Sequence, residues 1–239
     1  MSGGGPVRGV AGSGVGQRLF ADWAGQVHVV EDRGFRLAEP LFAEEEAAIV
    51  RAVPLRRREF IAGRTAARRA LAGLDIAPCP IPVAADRAPC WPGGVVGSIS
   101  HSPALVLAAV AREREISALG VDAEVVARLE PEIIAAVCTE EDRRFLAGGR
   151  GRLAGIGPLL VFSAKEAFYK AFYPLHRRFL DHDAVAIRFF AAPGGETGSF
   201  RVIAREPGLR ASGFADRVAG RWALAGDHVY AAAVVPGPG

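Results

Sequence analysis

The ten residues from Phe162 to Ala171, Phe-Ser-Ala-Lys-Glu-Ala-Phe-Tyr-Lys-Ala, constrain this chain more than any other stretch. They are good helix formers with no Gly or Pro, and Pro174 supplies a stop. At about 100° per residue, Leu160, Val161, Ala164, Ala167, Phe168, Ala171 and Phe172 share one arc, a core face. Glu166 and Lys170 fall opposite it, one turn apart, with Lys165 at its border. On a solvated face such an i,i+4 pair is common and worth roughly 0.2–0.5 kcal/mol. Composition argues for more than that. Of 29 Lys plus Arg residues only Lys165 and Lys170 are lysine. A surface pair tolerates Arg, whereas a site that needs a compact ammonium, or one able to lose its proton, does not. The helix therefore reads as functional.

With 239 residues, half of them hydrophobic, the chain can build one large domain or two small ones around a sizeable core. The net charge of +3 admits anionic ligands, and no basic run is interleaved with aromatics as in a dedicated nucleic-acid binder. Cys79, Cys90 and Cys138 are odd in number and lack metal-ligand spacing, which suggests a reducing compartment. No apolar run is long enough to span a bilayer. Met1 to Gly16 is rich in Gly without an apolar signal core, so residues 1–18 read as a disordered tail and the protein as cytoplasmic.

Order is expected from about Leu19. Val27 to Val30 suits a strand, Ala43 to Val53 a short helix broken at Pro54, and Arg56 to Leu74 a longer one with Arg57, Arg64 and Arg68 near one polar side. That side is either a solvated basic face or an anion site. Ala77 to Pro92, with five prolines, is an irregular connection. Ser98, Ser100, His101 and Ser102 then gather small polar groups at a strand end or turn. No Gly-x-Ser-x-Gly elbow accompanies them, so phosphate donors suit them better than hydrolase chemistry. Leu105 to Ala111 reads as a buried strand and Ala118 to Val126 as another. On the latter Asp122 and Glu124 point to the same face. Side-by-side carboxylates on an apolar strand are either solvated at an edge or joined by a hard cation such as Mg²⁺.

Pro131 to Val137 suits a helix, Thr139 caps another, and Ala147 to Pro158 reads as a glycine-rich mobile loop. Strands follow at Ala184 to Phe190, Ser199 to Arg205, Arg221 to Ala225 and His228 to Val235, the last two forming a hairpin at Gly226-Asp227. The division falls between Arg112 and Ala118, giving halves 19–117 and 118–239 of an α+β fold. Asp122, Glu124 and Glu166 could form one Mg²⁺ site, with the lysines beside it and Ser100, His101 and the arginine helix holding further phosphates. From the residues alone, this is a Mg²⁺-dependent enzyme acting on a multiply phosphorylated small molecule.

At these residues the sequence resembles the 4′-phosphopantetheinyl transferases of the surfactin-synthetase-activating group, its actinobacterial members in particular. The family pattern Gly-(Val/Ile)-Asp-x-Glu stands here as Gly120-Val121-Asp122-Ala123-Glu124. The pattern (Trp/Phe)-x-x-Lys-Glu-(Ala/Ser)-x-x-Lys stands as Phe162 to Lys170. Ser98-Ile99-Ser100-His101, the Arg56 to Arg64 segment and Pro89-Cys90-Trp91-Pro92 match further motifs, over a resemblance running from about Leu19 to Val235. Ala123 and Phe162 depart from the commonest residues without changing the chemistry, and the segment around Asp86 and Arg87 departs from the family's basic position.

The resemblance implies a pseudo-twofold fold of two similar α/β halves, a monomer, with coenzyme A in the cleft between them. It implies Mg²⁺-dependent transfer of 4′-phosphopantetheine from coenzyme A to a serine of an apo acyl, peptidyl or aryl carrier protein, releasing 3′,5′-ADP, in secondary-metabolite biosynthesis. By the same resemblance Asp122, Glu124 and Glu166 hold the metal. Glu166, or a water it polarises, deprotonates the serine, and Lys170 serves the leaving phosphate. Lys165 contacts phosphate oxygens, and Ser100, His101, Arg64 and Arg57 bind the 3′-phosphate. Nucleic acid and membrane are not expected partners. Two other classes remain: a Mg²⁺-dependent nuclease-like phosphodiesterase, against which the lysine spacing counts, and a non-catalytic coenzyme A-binding module, which would not need three carboxylates.

Overall fold

Alternating and continuous apolar runs pair into two antiparallel sheets, each backed by one long helix. The computed structural model describes residues 14–148 and 152–238. In chain order the elements are α1 (Val15–Leu19), β1 (Val27–Arg33), α2 (Ala43–Glu46), α3 (Pro54–Ala72), β2 (Val95–Ser102), β3 (Leu105–Arg112) and β4 (Ile116–Val125). Then come α4 (Pro131–Val137), α5 (Glu140–Ala147), α6 (Arg152–His176), β5 (Val185–Ala191), β6 (Thr197–Ala204), α7 (Pro207–Ser212), β7 (Ala219–Ala225) and β8 (His228–Pro236). The first sheet has the order β1-β3-β2 and the second β4-β8-β7-β6-β5.

Side-chain alternation makes four layers. Val106, Ala108 and Val110 of β3 pack with Ala62, Ala66, Ala70 and Leu71 of α3. Leu105, Leu107 and Ala109 face the other way, toward Leu119, Val121 and Ala123 of β4 and Tyr230, Ala232 and Val234 of β8. The opposite face of β4 and β8 packs on Leu160, Ala164, Ala167, Phe168 and Ala171 of α6. The order is thus α3, first sheet, second sheet, α6. Both β3 and β4 are covered on two sides, which is why each reads as a nearly continuous apolar run. The mixed α and β composition in two like-built halves agrees with the expected fold class.

The sheets are joined along β2 and β4 by serine side chains. Ser98 Oγ accepts from Val121 N at 3.1 Å and Ser100 Oγ from Ala123 N at 3.3 Å. These serines, expected as phosphate donors, also accept from the backbone of an adjoining strand.

Several expectations are corrected. Residues 1–13 of the expected tail lie outside the described residues, but Val15–Leu19 is helical, with Val15 and Leu19 buried. The helix expected at Ala43–Val53 is one turn of α-helix followed by a 3₁₀ turn, Ala47–Ile49. Residues 149–151 of the expected glycine-rich loop are not described; from Arg152 onward the chain is already helix. Pro174 does not stop α6. Its ring removes one hydrogen bond, yet the last turn persists to His176, whose Nδ1 lies 3.0 Å from Phe172 O and whose ring stacks on Phe172 at 4.1 Å.

Gly120 sets the distance between strand and helix. A Cβ there would lie 1.9 Å from Ala167 O and 2.8 Å from Ala171 N, so only glycine lets α6 approach this closely. Gly120→Ala is expected to push the helix outward and cost about 1–3 kcal/mol, the usual range for overpacking. It should also lower turnover by displacing Glu166 and Lys170 from β4. Urea unfolding with single-turnover kinetics checks both; full stability and activity would show that the contact is soft.

Candidate active site

Two residues beyond Gly120 on the same face, Asp122 is buried to 3 % exposure beneath α6. Its Oδ1 accepts from Lys170 Nζ at 2.7 Å and from Ser100 Oγ at 3.0 Å. Lys170 Nζ also donates to Val121 O at 3.0 Å and to Ser100 Oγ at 3.3 Å. Asp122 Oδ2 is buried and finds no hydrogen-bond partner among the described residues. A buried carboxylate oxygen without a donor is costly, so this one is placed for a ligand that brings positive charge.

Glu124 adds to that demand. Its carboxyl is pushed up to about 7 by burial and by the charges of Asp122 and Glu166, with Lys170 opposing. Glu166 is held below its usual range, chiefly by His182, whose Nε2 lies 3.3 Å from Glu166 Oε1. His182 stacks on Phe162 at 5.9 Å between centroids. Among the described residues the three acids are not drawn together into a ready-made metal-ligand cluster. The donor set nevertheless fits a hard cation: oxygen ligands only, one of them unpartnered and one raised by its like-charged neighbours. His182 had no signal in the sequence, since a lone histidine twelve positions past Lys170 fits no motif.

The structure does not bring Lys165 to this site. Its ammonium is buried on another side of α6, donating to Asp142 Oδ2 at 2.8 Å, Val137 O at 2.8 Å and His182 O at 2.7 Å. Asp142 closes the capping box of α5 on Thr139 and also accepts from Ile187 N at 2.6 Å. Lysine is required here because three acceptors converge on one compact donor, a geometry the flat guanidinium cannot serve. Through His182, Lys165 supports Glu166 from behind.

The expected anion-binding set is only partly assembled. Arg57 points to the surface and pairs with Glu46 at 2.8 Å. One helical step rotates its neighbour Arg56 to the other side, where Arg56 Nη1 touches His101 Nε2. Glu59 lies 3.7 Å from the His101 ring. Burial, then the Arg56 charge, hold His101 below its ordinary value. Arg64 is buried, donates to Ile81 O at 2.7 Å and lies over the Phe60 ring. Burial, with help from Arg68 and Arg56 and against Glu45, brings its guanidinium down to about 10, so an anion nearby would be welcome. Ser100 belongs with Asp122 and Lys170.

Lys170 faces a cavity of about 970 Å³ between the halves, lined also by Arg87, Trp91, Gly97, Tyr169 and Tyr173. A cavity of that size takes a cofactor-sized ligand. The arrangement places Lys170 at the wall of a large cleft, ion-paired with a buried acid that keeps one oxygen unpartnered among the described residues. Among the described residues no helix is long and apolar enough to cross a membrane.

Comparison with known proteins shows the family. Residues 44–111 match the model of the 4′-phosphopantetheinyl transferase N-terminal domain, and residues 118–225 that of the 4′-phosphopantetheinyl transferase superfamily. The chain is 37 % identical to the 4′-phosphopantetheinyl transferase Svp of Streptomyces mobaraensis, over 92 % of this chain and 89 % of that protein. It is 35 % identical to Npt of Nocardia iowensis over 79 % of this chain and 86 % of that protein. It is 37 % identical to PptT of Mycobacterium tuberculosis over 66 % of this chain and 69 % of that protein. The chain belongs to the 4′-phosphopantetheinyl transferases, with one family model on each half and the acid and lysine residues of its site in the second.

Proposed function

We propose that this enzyme transfers phosphopantetheine from coenzyme A to a carrier-protein serine where Lys170, held by Asp122 and Ser100, lines the cavity. The observation that carries this reading is the unpartnered, buried Asp122 Oδ2 beside the Lys170 ammonium. Asp122, Glu124 and Glu166 would hold Mg²⁺, which when bound neutralises charge on the donor's pyrophosphate. The serine oxygen attacks the phosphorus that bears the pantetheine arm. The bond to the bridging oxygen breaks, and 3′,5′-ADP leaves with the electron pair. Glu166 takes the serine proton, directly or through a water. Lys170 supports the negative charge developing on the leaving phosphate. Such chemistry is mostly positioning and charge neutralisation.

Arg56 and His101 suit the 3′-phosphate better than Arg57 does, because Arg57 donates to both Glu46 oxygens at 3.0 and 2.8 Å whereas the Arg56 contact with Glu59 is a looser 3.4 Å. A charged hydrogen bond of this kind is worth about 1.5–3 kcal/mol. Arg56→Ala is therefore expected to raise the KM for coenzyme A about tenfold or more and to erase the preference over dephospho-coenzyme A. Arg57→Ala should change neither. Equal weakening of both donors by Arg56→Ala would remove it from the 3′-phosphate.

Metal binding should depend on pH. Because the folded-state affinity of Glu124 for a proton is raised, its contribution to stability is full below about pH 4.5 and lost as pH rises through about 7. A cation offsets that loss by neutralising the ionised carboxylate, and below about pH 7 it has to compete with the proton. The rise in Tm on adding Mg²⁺ should be larger at pH 8 than at pH 6; equal shifts would take Glu124 out of the ligand set. For the reaction itself, 3′,5′-ADP release from coenzyme A is expected only when an apo carrier protein is present. Release without a carrier would favour a phosphodiesterase.

A further inference from the structure

The segment 84–90 reaches from the N-terminal half to the end of α6. Asp86 Oδ2 accepts from Tyr173 OH at 3.0 Å and from Arg177 Nη1 at 2.8 Å, while its Oδ1 accepts from Ala88 N at 3.0 Å. The next residue, Arg87, sits at φ +69°, a left-handed conformation that costs a side chain of this kind energy unless its surroundings enforce it. The turn is closed by Arg87 N to Ala84 O at 2.9 Å, Ala84 N to Ala88 O at 2.9 Å and Cys90 N to Pro82 O at 2.8 Å. One carboxylate thus both shapes a strained turn and ties it to the other half of the molecule. The ends of the tie, Arg87 and Cys90 on one side and Tyr173 and Arg177 on the other, line the same cavity as Lys170.

Asp86 and Arg177 are exposed, and exposed ion pairs add little to global stability. A strained turn held to the opposite rim by such contacts is a low-stability element, able to open while the core stays folded. The hydrogen bonds themselves are well formed, at 3.0 Å from Tyr173 and 2.8 Å from Arg177, and through them the Tyr173 hydroxyl is pushed up, while Asp86 is held low first by Ala88 N and then by Tyr173.

We propose that Asp86 is a positioning residue that latches the 84–90 turn onto Tyr173 and Arg177 across the rim of the cavity, and that opening this latch admits coenzyme A and releases 3′,5′-ADP. The latch itself rests on geometry; the identity of what passes rests on the reading of the cavity given above.

The test compares wild type with Asp86→Ala and with the double variant Tyr173→Phe/Arg177→Met. The double variant leaves the Asp86–Ala88 bond in place, so it opens the latch without dismantling the turn. Hydrogen exchange at the Arg87 and Cys90 amides should speed up several-fold in both variants, with global unfolding unchanged. The association and dissociation rates of coenzyme A should both rise about three- to tenfold, whereas loss of a direct contact from these cavity-lining residues would raise the dissociation rate alone. Unchanged exchange in the double variant overturns the latch, whatever the donor. Faster exchange with unchanged association and dissociation rates, or with a rise in the dissociation rate alone, overturns gating, as does an equal fall in kcat and kcat/KM accompanied by a lower Tm. If wild type does not bind coenzyme A, the donor reading of the cavity fails, while the exchange rates still decide the latch.

Discussion

Asp122→Ala is expected to lower turnover at least about a thousandfold, or ~4 kcal/mol of barrier, while leaving the fold in place. The substitution removes the oxygen that has no protein donor and also the partner that aims Lys170. The cost to stability should be small. Deleting Asp122 removes a buried unsatisfied atom along with its hydrogen bonds, and the Lys170 side chain, 28 % exposed, can turn toward water. Asp122→Asn separates charge from shape: the amide can still meet Ser100 but can neither pair with Lys170 as an ion nor serve a cation well. Single-turnover transfer with unfolding curves on both variants checks this. Turnover near that of wild type in either would remove Asp122 from the reaction.

Lys165→Met should produce the largest loss of stability. The side chain is 2 % exposed and its partner Asp142 is fully buried. Breaking a buried pair by deleting one member leaves an uncompensated charge, at a cost of about 3–5 kcal/mol. Here the orphan would be Asp142, which still caps α5 and holds Ile187 N, so it cannot simply turn away. Burial pushes the Lys165 ammonium below its usual value, opposed by Asp142, so the pair survives through its geometry rather than through solvation. Lys165→Arg should also destabilise, through overpacking. Urea unfolding measures both. A Lys165→Met protein that is fully stable but has lost affinity for coenzyme A would return Lys165 to the phosphates, as its motif position suggested.

These residues show where sequence stops being informative. β3 and β4 are legible because sheets covered on both faces leave continuous apolar runs, and the Gly120–Glu124 motif lies on the second of them. The rarity of lysine singles out α6 but cannot distinguish two reasons for a compact ammonium. Lys170 serves the cleft; Lys165 fits a pocket made by Val137, Asp142 and His182, residues distant in sequence. Helical phase was the other limit. Arg56 and Arg57 are adjacent, and only the docking of α3 decides which of them meets His101. Nothing local to Ser98 and Ser100 reveals that their oxygens also accept from the backbone of β4. Pro174 looked like a stop because the packing of Phe172 and His176 around Phe214 that holds the last turn is tertiary.

The most direct test of the account is the mass of an apo carrier protein after incubation with this enzyme and coenzyme A. With Mg²⁺ present the carrier should gain one phosphopantetheine, on its serine. With a chelator it should gain none, and with Asp122→Ala almost none on the same timescale. A carrier that stays unmodified by folded wild-type protein with Mg²⁺, or one modified equally well by Asp122→Ala, would contradict the assignment of the reaction to this site.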